Sequence, residues 1–427
     1  MLEYLKNHPN EKGMTMTLRD QALIIKKASI SYARATTEEK NQALLAMADA
    51  LEVHRQEILA ANEKDVADAR DAGMRESLVD RLCLTPSRFE GMKDALRQVA
   101  RQEDPIGSVI RHWTNRDGLD IRQVRVPLGV IAIIYESRPN VTVETASLAL
   151  KSGNGIFLRG SSSALRSNVA LVDALREGLS RAGIDPHIID LVRDADRSAV
   201  DELIHLRGII DLVIPRGGAG LIQHVVQNAS VPVVETGVGN NHIFVDATAD
   251  LDMAVTVVDN AKTSRPGTCN AVETLLVHRE IASAFLPKLA QALEGRCELR
   301  GDDEVARIIS VTPLQEDDFA TEFLDDILAI GLVSSLDEAL AHIARYGTTH
   351  SEAILTQDED HARRFQQEVD AAAVYVNAST RFTDGGVFGF GGEMGIATQK
   401  MHARGPMGLE ALTSYKYEIN GNGQCRR

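Results

Sequence analysis

Apolar residues recur at helical spacing through residues 19–100. Thr36 and Glu39 stand at capping-box spacing before the stripe Leu44, Leu45, Met47, Ala48 and Leu51. Gly73 stops one helix, and Thr85-Pro86 opens another that carries Phe89, Met92, Leu96 and Val99. Residues 119–126 then alternate, with Ile121, Val124 and Val126 separated by Arg122 and Arg125, which is the period of a strand leaving the body of a domain. After Pro127-Leu128-Gly129 the unbroken apolar run 130–135 predicts a buried strand, a turn at 136–140 and a helix ending at Gly153. Strand patterns at 155–158, 188–192, 209–214 and 231–235 alternate with helical stretches at 163–182, 198–206 and 219–228. A second alternating region begins near His242. It has strands at 242–245, 272–277, 353–355 and 373–376, helices at 251–261 and 280–293, a glycine-rich tract at 383–392 and a strand-like end at 412–420.

Strands alternating with helices of this length imply parallel sheets covered on both faces. Ligands bind such sheets beyond the carboxyl ends of the strands. The loops at those ends carry the polar chemistry: Glu136-Ser137-Arg138-Pro139-Asn140, Arg159-Gly160-Ser161-Ser162-Ser163, Pro215-Arg216-Gly217-Gly218-Ala219-Gly220 and Glu235-Thr236-Gly237-Val238-Gly239. In the second region, Pro266 and Gly267 break a helix just before Cys269 and a short strand follows, so the turn presents the thiol. Cys269 reads either as a nucleophile, if cations or N–H groups lower its pKa, or as an inert buried cysteine.

Each loop also admits a plain structural reading. Gly217, Gly218 and Gly220 suit phosphate oxygens at a helix start or merely a tight turn, and they lack the full dinucleotide fingerprint. Arg159 with Ser161, Ser162 and Ser163 offers donors uninterrupted by a carboxylate, which suits a phosphate, or else caps a surface helix. A basic residue in place of the acidic ribose selector favours NADP over NAD. Asn140 is an N-cap or an oxyanion donor, and Glu235, ending an apolar strand, is exposed, paired or a base.

A net charge of -15, with acidic residues spread along the chain, argues against nucleic acid as a partner. Cys83, Cys269, Cys297 and Cys425 are too dispersed for a disulfide scaffold or a metal site, as are His242, His278 and His402. No apolar run approaches the roughly 20 residues of a membrane helix. Residues 1–16 have no apolar core of a secretory signal and read as an extension upstream of a start at Met14 or Met16. A cytoplasmic protein of more than one domain is expected.

Several long, ordered motifs make the chain resemble the aldehyde dehydrogenase superfamily. They are Val126-Pro127-Leu128-Gly129-Val130, Tyr135 to Val141, Ile214 to Gly220, Pro266-Gly267-Thr268-Cys269-Asn270, Phe382 to Gly386 and Thr398 to Gly408. The resemblance runs from about Leu18 to Gln424. It implies a Rossmann-type parallel-sheet NADP-binding domain (17–115 and 127–241), an α/β catalytic domain with Cys269 (242–408) and a small β oligomerisation arm (116–126 and 409–427). Within the superfamily the motifs are similar to the branch that reduces L-glutamyl 5-phosphate to glutamate 5-semialdehyde in proline biosynthesis. The resemblance makes NADPH the cofactor, Cys269 the nucleophile and Asn140, with the Cys269 N–H, the oxyanion hole. It puts Arg159 and Ser162 at the adenosine ribose and Glu322 at the nicotinamide ribose. Glu235 matches the deacylating base of hydrolytic relatives, a role that phosphate use makes redundant. Arg138 and Arg381 are candidates for the substrate carboxylate or phosphate. A homo-oligomer and a transient complex with glutamate 5-kinase are the expected partners. A hydrolytic aldehyde dehydrogenase working through Glu235 and a non-catalytic binding protein of the same fold remain as alternatives.

Overall fold

The computed structural model describes residues 16–194, 196 and 198–426. The stretch read as an N-terminal extension lies, but for Met16, outside the described residues. The chain divides into two compact units: Met1–Gly217, Gln223–Val233 and Leu412–Arg427 in the first, Gly218–Ile222 and Val234–Ala411 in the second.

The first unit opens with helices Leu18–Tyr32, Thr37–Val53, Arg55–Asp71, Glu76–Leu82 and Pro86–Arg101. The capping box forms as its spacing requires: Thr36 Oγ1 accepts from Glu39 N, and Glu39 Oε2 accepts from Thr36 N. Thr85 caps the fifth helix, with Pro86 in its first turn. These helices bury Leu44, Met47, Phe89 and Leu96 completely. A four-stranded parallel sheet follows in the order Ile189–Leu191, Gly155–Arg159, Val130–Tyr135, Leu212–Arg216. Every residue of Val130–Tyr135 is buried, as a strand covered on both faces must be. The expected strand at 231–235 does not form. Pro232 has no N–H for a ladder, and the segment makes one bridge, Val213 with Val233.

The expected arm segment, 119–126, forms strand Asp120–Pro127, the middle strand of a three-stranded antiparallel sheet between Val109–Thr114 and Thr413–Asn420. Val109–Thr114 escaped the sequence reading because it is almost wholly exposed and carries no buried alternation.

The second unit holds a seven-stranded parallel sheet in the order Thr312–Pro313, Glu298–Gly301, Ile327–Val333, Val272–His278, Asn241–Val245, Ser351–Leu355, Ala373–Val376. On one face Ile243, Leu275 and Ile330 pack with Val258, Phe285 and Leu289; on the other Phe244, Leu276 and Ile354 pack with Ile343 and Phe365. The glycine-rich tract forms no regular element, and its Val387, Phe388 and Phe390 are exposed. Among the described residues no helix is long and apolar enough to cross a membrane.

Candidate active site

Helix Leu251–Thr263 ends where Pro266 has no N–H to continue it, and the chain turns through Cys269 into strand Val272–His278. Thr268 Oγ1 donates to Arg265 O at 2.8 Å, and Ala271 N donates to Thr268 O at 3.0 Å, so the turn is internally bonded. Asn241 Nδ2 donates to Cys269 O and to Ala271 O, both at 2.7 Å, while its Oδ1 accepts from Ser351 N. One side chain in the sheet thereby fixes both sides of the nucleophile's peptide. Gly239 passes on the other side, where a Cβ would lie 1.5 Å from Cys269 O. Cys269 itself is half-buried. Cys297 is a contrast: burial pushes its thiol up to about 12, which keeps it protonated and inert.

Arg381 lies along this turn. Its Nε donates to Ser264 Oγ at 3.2 Å, and its Nη1 reaches Thr268 Oγ1 at 3.1 Å and also Asn270 Oδ1. Burial lowers its pKa, the Arg265 cation lowers it further, and Asp384 and the Cys269 thiolate act in the opposite sense. The Arg381 guanidinium therefore lies within the fields of both the Arg265 cation and the Cys269 sulfur. Asn270 Nδ2 donates to Thr383 O, tying the turn to the start of the glycine-rich tract.

Glu322 joins the same group, because its Oε1 accepts from Gly239 N at 2.7 Å. Glu235 is half-buried, with its own N–H donating to Gln399 Oε1 at 3.0 Å and its carbonyl accepting from Thr398 N. The second unit thus brings Cys269, Arg381 and Glu322 into one bonded network.

In the first unit, the turn after Val130–Tyr135 is strained at Ser137, whose φ is 24°. Ser137 N donates to Ser161 Oγ at 3.2 Å, and Ser163 Oγ lies 2.8 Å from Ser161 Oγ and 3.2 Å from Ser137 Oγ. Ser162 is exposed. Arg159 Nη2 donates to Asp196 O at 3.2 Å. Beneath them Tyr135 Oη, Thr142 Oγ1 and Asn168 Oδ1 form a buried chain, and a Cβ at Gly160 would fall 2.1 Å from Asn168 Nδ2. Arg216, ending strand Leu212–Arg216, holds a buried Nη1 with no hydrogen-bond partner among the described residues. Gly217 is exposed at the end of this segment of the first unit; Gly218 and Gly220 belong to the second, where Gly218 O accepts from Leu221 N and Ile222 N and a Cβ on Gly220 would meet open space.

Asn140 is not a helix cap. Helix Pro139–Lys151 starts one residue earlier, with Arg138 flanking it, and Asn140 Nδ2 donates to Glu144 Oε1 at 2.8 Å.

The aldehyde dehydrogenase family model matches residues 18–325. A gamma-glutamyl phosphate reductase of Kosmotoga olearia is 55% identical over 411 residues, 96% of this chain and 99% of that protein. This chain belongs to the aldehyde dehydrogenase family, among the gamma-glutamyl phosphate reductases. The crystal structure of the Thermotoga maritima gamma-glutamyl phosphate reductase superposes with a TM-score of 0.93 at 54% identity, over 96% of this chain and 99% of that one. The Saccharomyces cerevisiae counterpart gives 0.55 at 29% identity, over 97% and 100%. The fold is the aldehyde dehydrogenase one expected from the motifs.

The sequence gives no sign of Asn241 or Asn168 as site residues, whereas Ser163 is among its candidate phosphate donors. Asn241 and Asn168 act on residues distant in the chain, which no local pattern reveals.

Proposed function

We infer that the protein reduces L-glutamyl 5-phosphate to L-glutamate 5-semialdehyde with NADPH, releasing phosphate through a Cys269 thioester. The observation that carries this reading is the thiol's setting: a turn fixed by Asn241 and Gly239, with Arg381 bonded along it and Arg265 adding a second positive charge. Membership of the gamma-glutamyl phosphate reductases supplies the substrate.

The residues of the first unit fit NADPH. The serine cluster, Arg159 and the orphaned Nη1 of Arg216 are donors at the carboxyl ends of three neighbouring strands, the set a phosphorylated ribose requires. On this reading Arg159 and Ser162 of the first unit would hold the 2′-phosphate; Gly217, Gly218 and Gly220 are assigned to the pyrophosphate, and Glu322 of the second unit to the nicotinamide ribose. When bound, NADPH supplies the hydride.

The Cys269 thiolate attacks the acyl carbon and forms the C–S bond. One Asn140 N–H is held by Glu144; the oxyanion role that the family resemblance gives to Asn140 and the Cys269 N–H would use its second N–H. The C–O bond to phosphate then breaks, and Arg381 takes the departing charge, with Arg138 on the substrate carboxylate. After reduction the thiohemiacetal oxyanion collapses: its C=O bond reforms, the C–S bond breaks and the thiolate is restored. Glu235 has no obligatory step here, since phosphate is itself the nucleophile in the reverse direction.

The acyl phosphate hydrolyses readily, so glutamate 5-kinase handing it over in a transient complex in the cytoplasm is the partner this chemistry favours. The exposed Tyr415, Tyr417 and Ile419 on the three-stranded sheet favour a homo-oligomer.

The test runs the reaction backwards, following reduction of NADP or NAD by the semialdehyde with and without inorganic phosphate. Phosphate-dependent reduction of NADP that vanishes in Cys269→Ala is the expected result. Equal rates without phosphate would assign the chain to the hydrolytic class, with Glu235 as base, and no reduction would leave a binding protein.

A further inference from the structure

The least expected feature of the second unit is an ion pair sealed from water. Lys262 Nζ lies 2.6 Å from Glu273 Oε2, and both side chains are 0% exposed. Burial pushes the Glu273 carboxyl up, and the Lys262 ammonium pulls it back down. Two apolar side chains of like volume commonly stabilise a fold as well as or better than such a pair. Its contribution must therefore be sought in what an apolar pair cannot do.

The pair stands at both ends of the nucleophile's turn. Lys262 is in the last turn of the helix that leads into it, and Glu273 is in the strand that leaves it. The second oxygen of Glu273 reaches further: Oε1 accepts from Leu324 N at 3.3 Å. Leu324 has a φ of 54°, a left-handed conformation unfavourable for a leucine that persists only where its surroundings impose it. Two residues earlier is Glu322, whose Oε1 accepts from the N–H of Gly239, the glycine packed against Cys269 O. Lys262, Glu273, Leu324, Glu322 and Gly239 thus make a chain of contacts that leaves the base of the cysteine turn and returns to its tip.

We propose that the buried Lys262–Glu273 pair is a positioning device: it locks the left-handed turn at Leu324 and so aims Glu322 at both the cysteine turn and the nicotinamide ribose. The proposal rests on the ribose-holding role given to Glu322 above. Neither Lys262 nor Glu273 touches the reacting atoms.

The reverse reaction tests it, with the KM for NADP and kcat measured separately. Lys262→Met with Glu273→Leu removes both charges together, so no lone charge is left buried. The expected double variant melts at or above the parent temperature, yet its KM for NADP rises about 10-fold while kcat changes less than about 3-fold. Glu322→Ala raises the same KM, and adding the double substitution to it brings no further rise, because the pair acts through Glu322. A stable double variant with the parent KM overturns the proposal, and so does a full additional rise in the Glu322→Ala background. Glu322→Ala with the parent KM also overturns it, and locates the failure in the ribose role rather than in the pair. Should the double variant not fold, Glu273→Asp carries the test. It keeps both charges but withdraws the acceptor from Leu324 N, so it raises the KM several-fold, and the parent value would refute the mechanism.

Discussion

Gly239 and Cys269 are in contact closer than any side chain permits, with the space for a Gly239 Cβ already taken by the Cys269 carbonyl carbon and oxygen. The same oxygen accepts from Asn241, two residues further along the strand entrance. The nucleophile's backbone is therefore gripped from two sides by one short segment.

Gly239→Ala must displace the Cys269 peptide. We expect kcat in the reverse reaction to fall about 100-fold, the scale on which a 1 Å misplacement acts. Alkylation of Cys269 should slow while the variant remains folded by circular dichroism. A parent kcat would mean that the turn yields without consequence.

Arg381→Met removes the guanidinium that spans Ser264, Thr268 and Asn270. The KM for inorganic phosphate in the reverse direction should rise about 10-fold or more, as expected for a lost charge-assisted contact. Arg381→Lys should recover only part of this, since an ammonium does not reproduce the planar fork. An unchanged KM for phosphate would assign Arg381 to the structure of the turn alone.

Arg159→Glu places a carboxylate where the 2′-phosphate is proposed to bind. The KM for NADP should rise about 100-fold, while that for NAD stays within a few-fold of its starting value, so that the preference reverses. Equal losses with both cofactors would show that the loop serves the fold instead.

Stability should fall in mild acid through His350. Burial lowers its imidazole to about 4 from the ordinary value near 6.5, so the folded protein holds it neutral while the unfolded chain accepts a proton. The stabilisation is complete above pH 6.5 and is lost progressively as the pH drops to about 4, for about 3 kcal/mol at most. Urea denaturation at pH 7, 5.5 and 4.5 measures the slope. His350→Gln should flatten it, and an unaltered slope would assign the acid sensitivity to other groups, such as the half-buried His342, which is lowered to about 4 in the same way.

The residues that announce themselves locally were legible before any coordinates. The capping box at Thr36 and Glu39, the apolar run Val130–Tyr135 and the break before Cys269 are written in neighbouring positions, and neighbouring positions determine them. The strand expected at 231–235 does not form because Pro232 has no N–H to pair, and Val109–Thr114 is silent in the sequence because its exposed face carries no period. Asn140 is the instructive case among the site residues. Proline-then-asparagine at a helix start resembles capping chemistry, yet the helix begins at Pro139 and turns the amide towards Glu144.

By itself, then, the order of residues determined two regions of alternating strand and helix, a thiol in a polar turn and the motifs of a phosphate-releasing dehydrogenase. Those properties depend on periodicity and on short spans of chain. Only the tertiary structure decided that Asn241 holds the Cys269 carbonyl, that Glu322 meets Gly239 and that Lys262 and Glu273 close the turn in a dry interior. Such contacts join residues whose separation in sequence carries no signal, and they exist only once the parallel sheet has set its strands side by side.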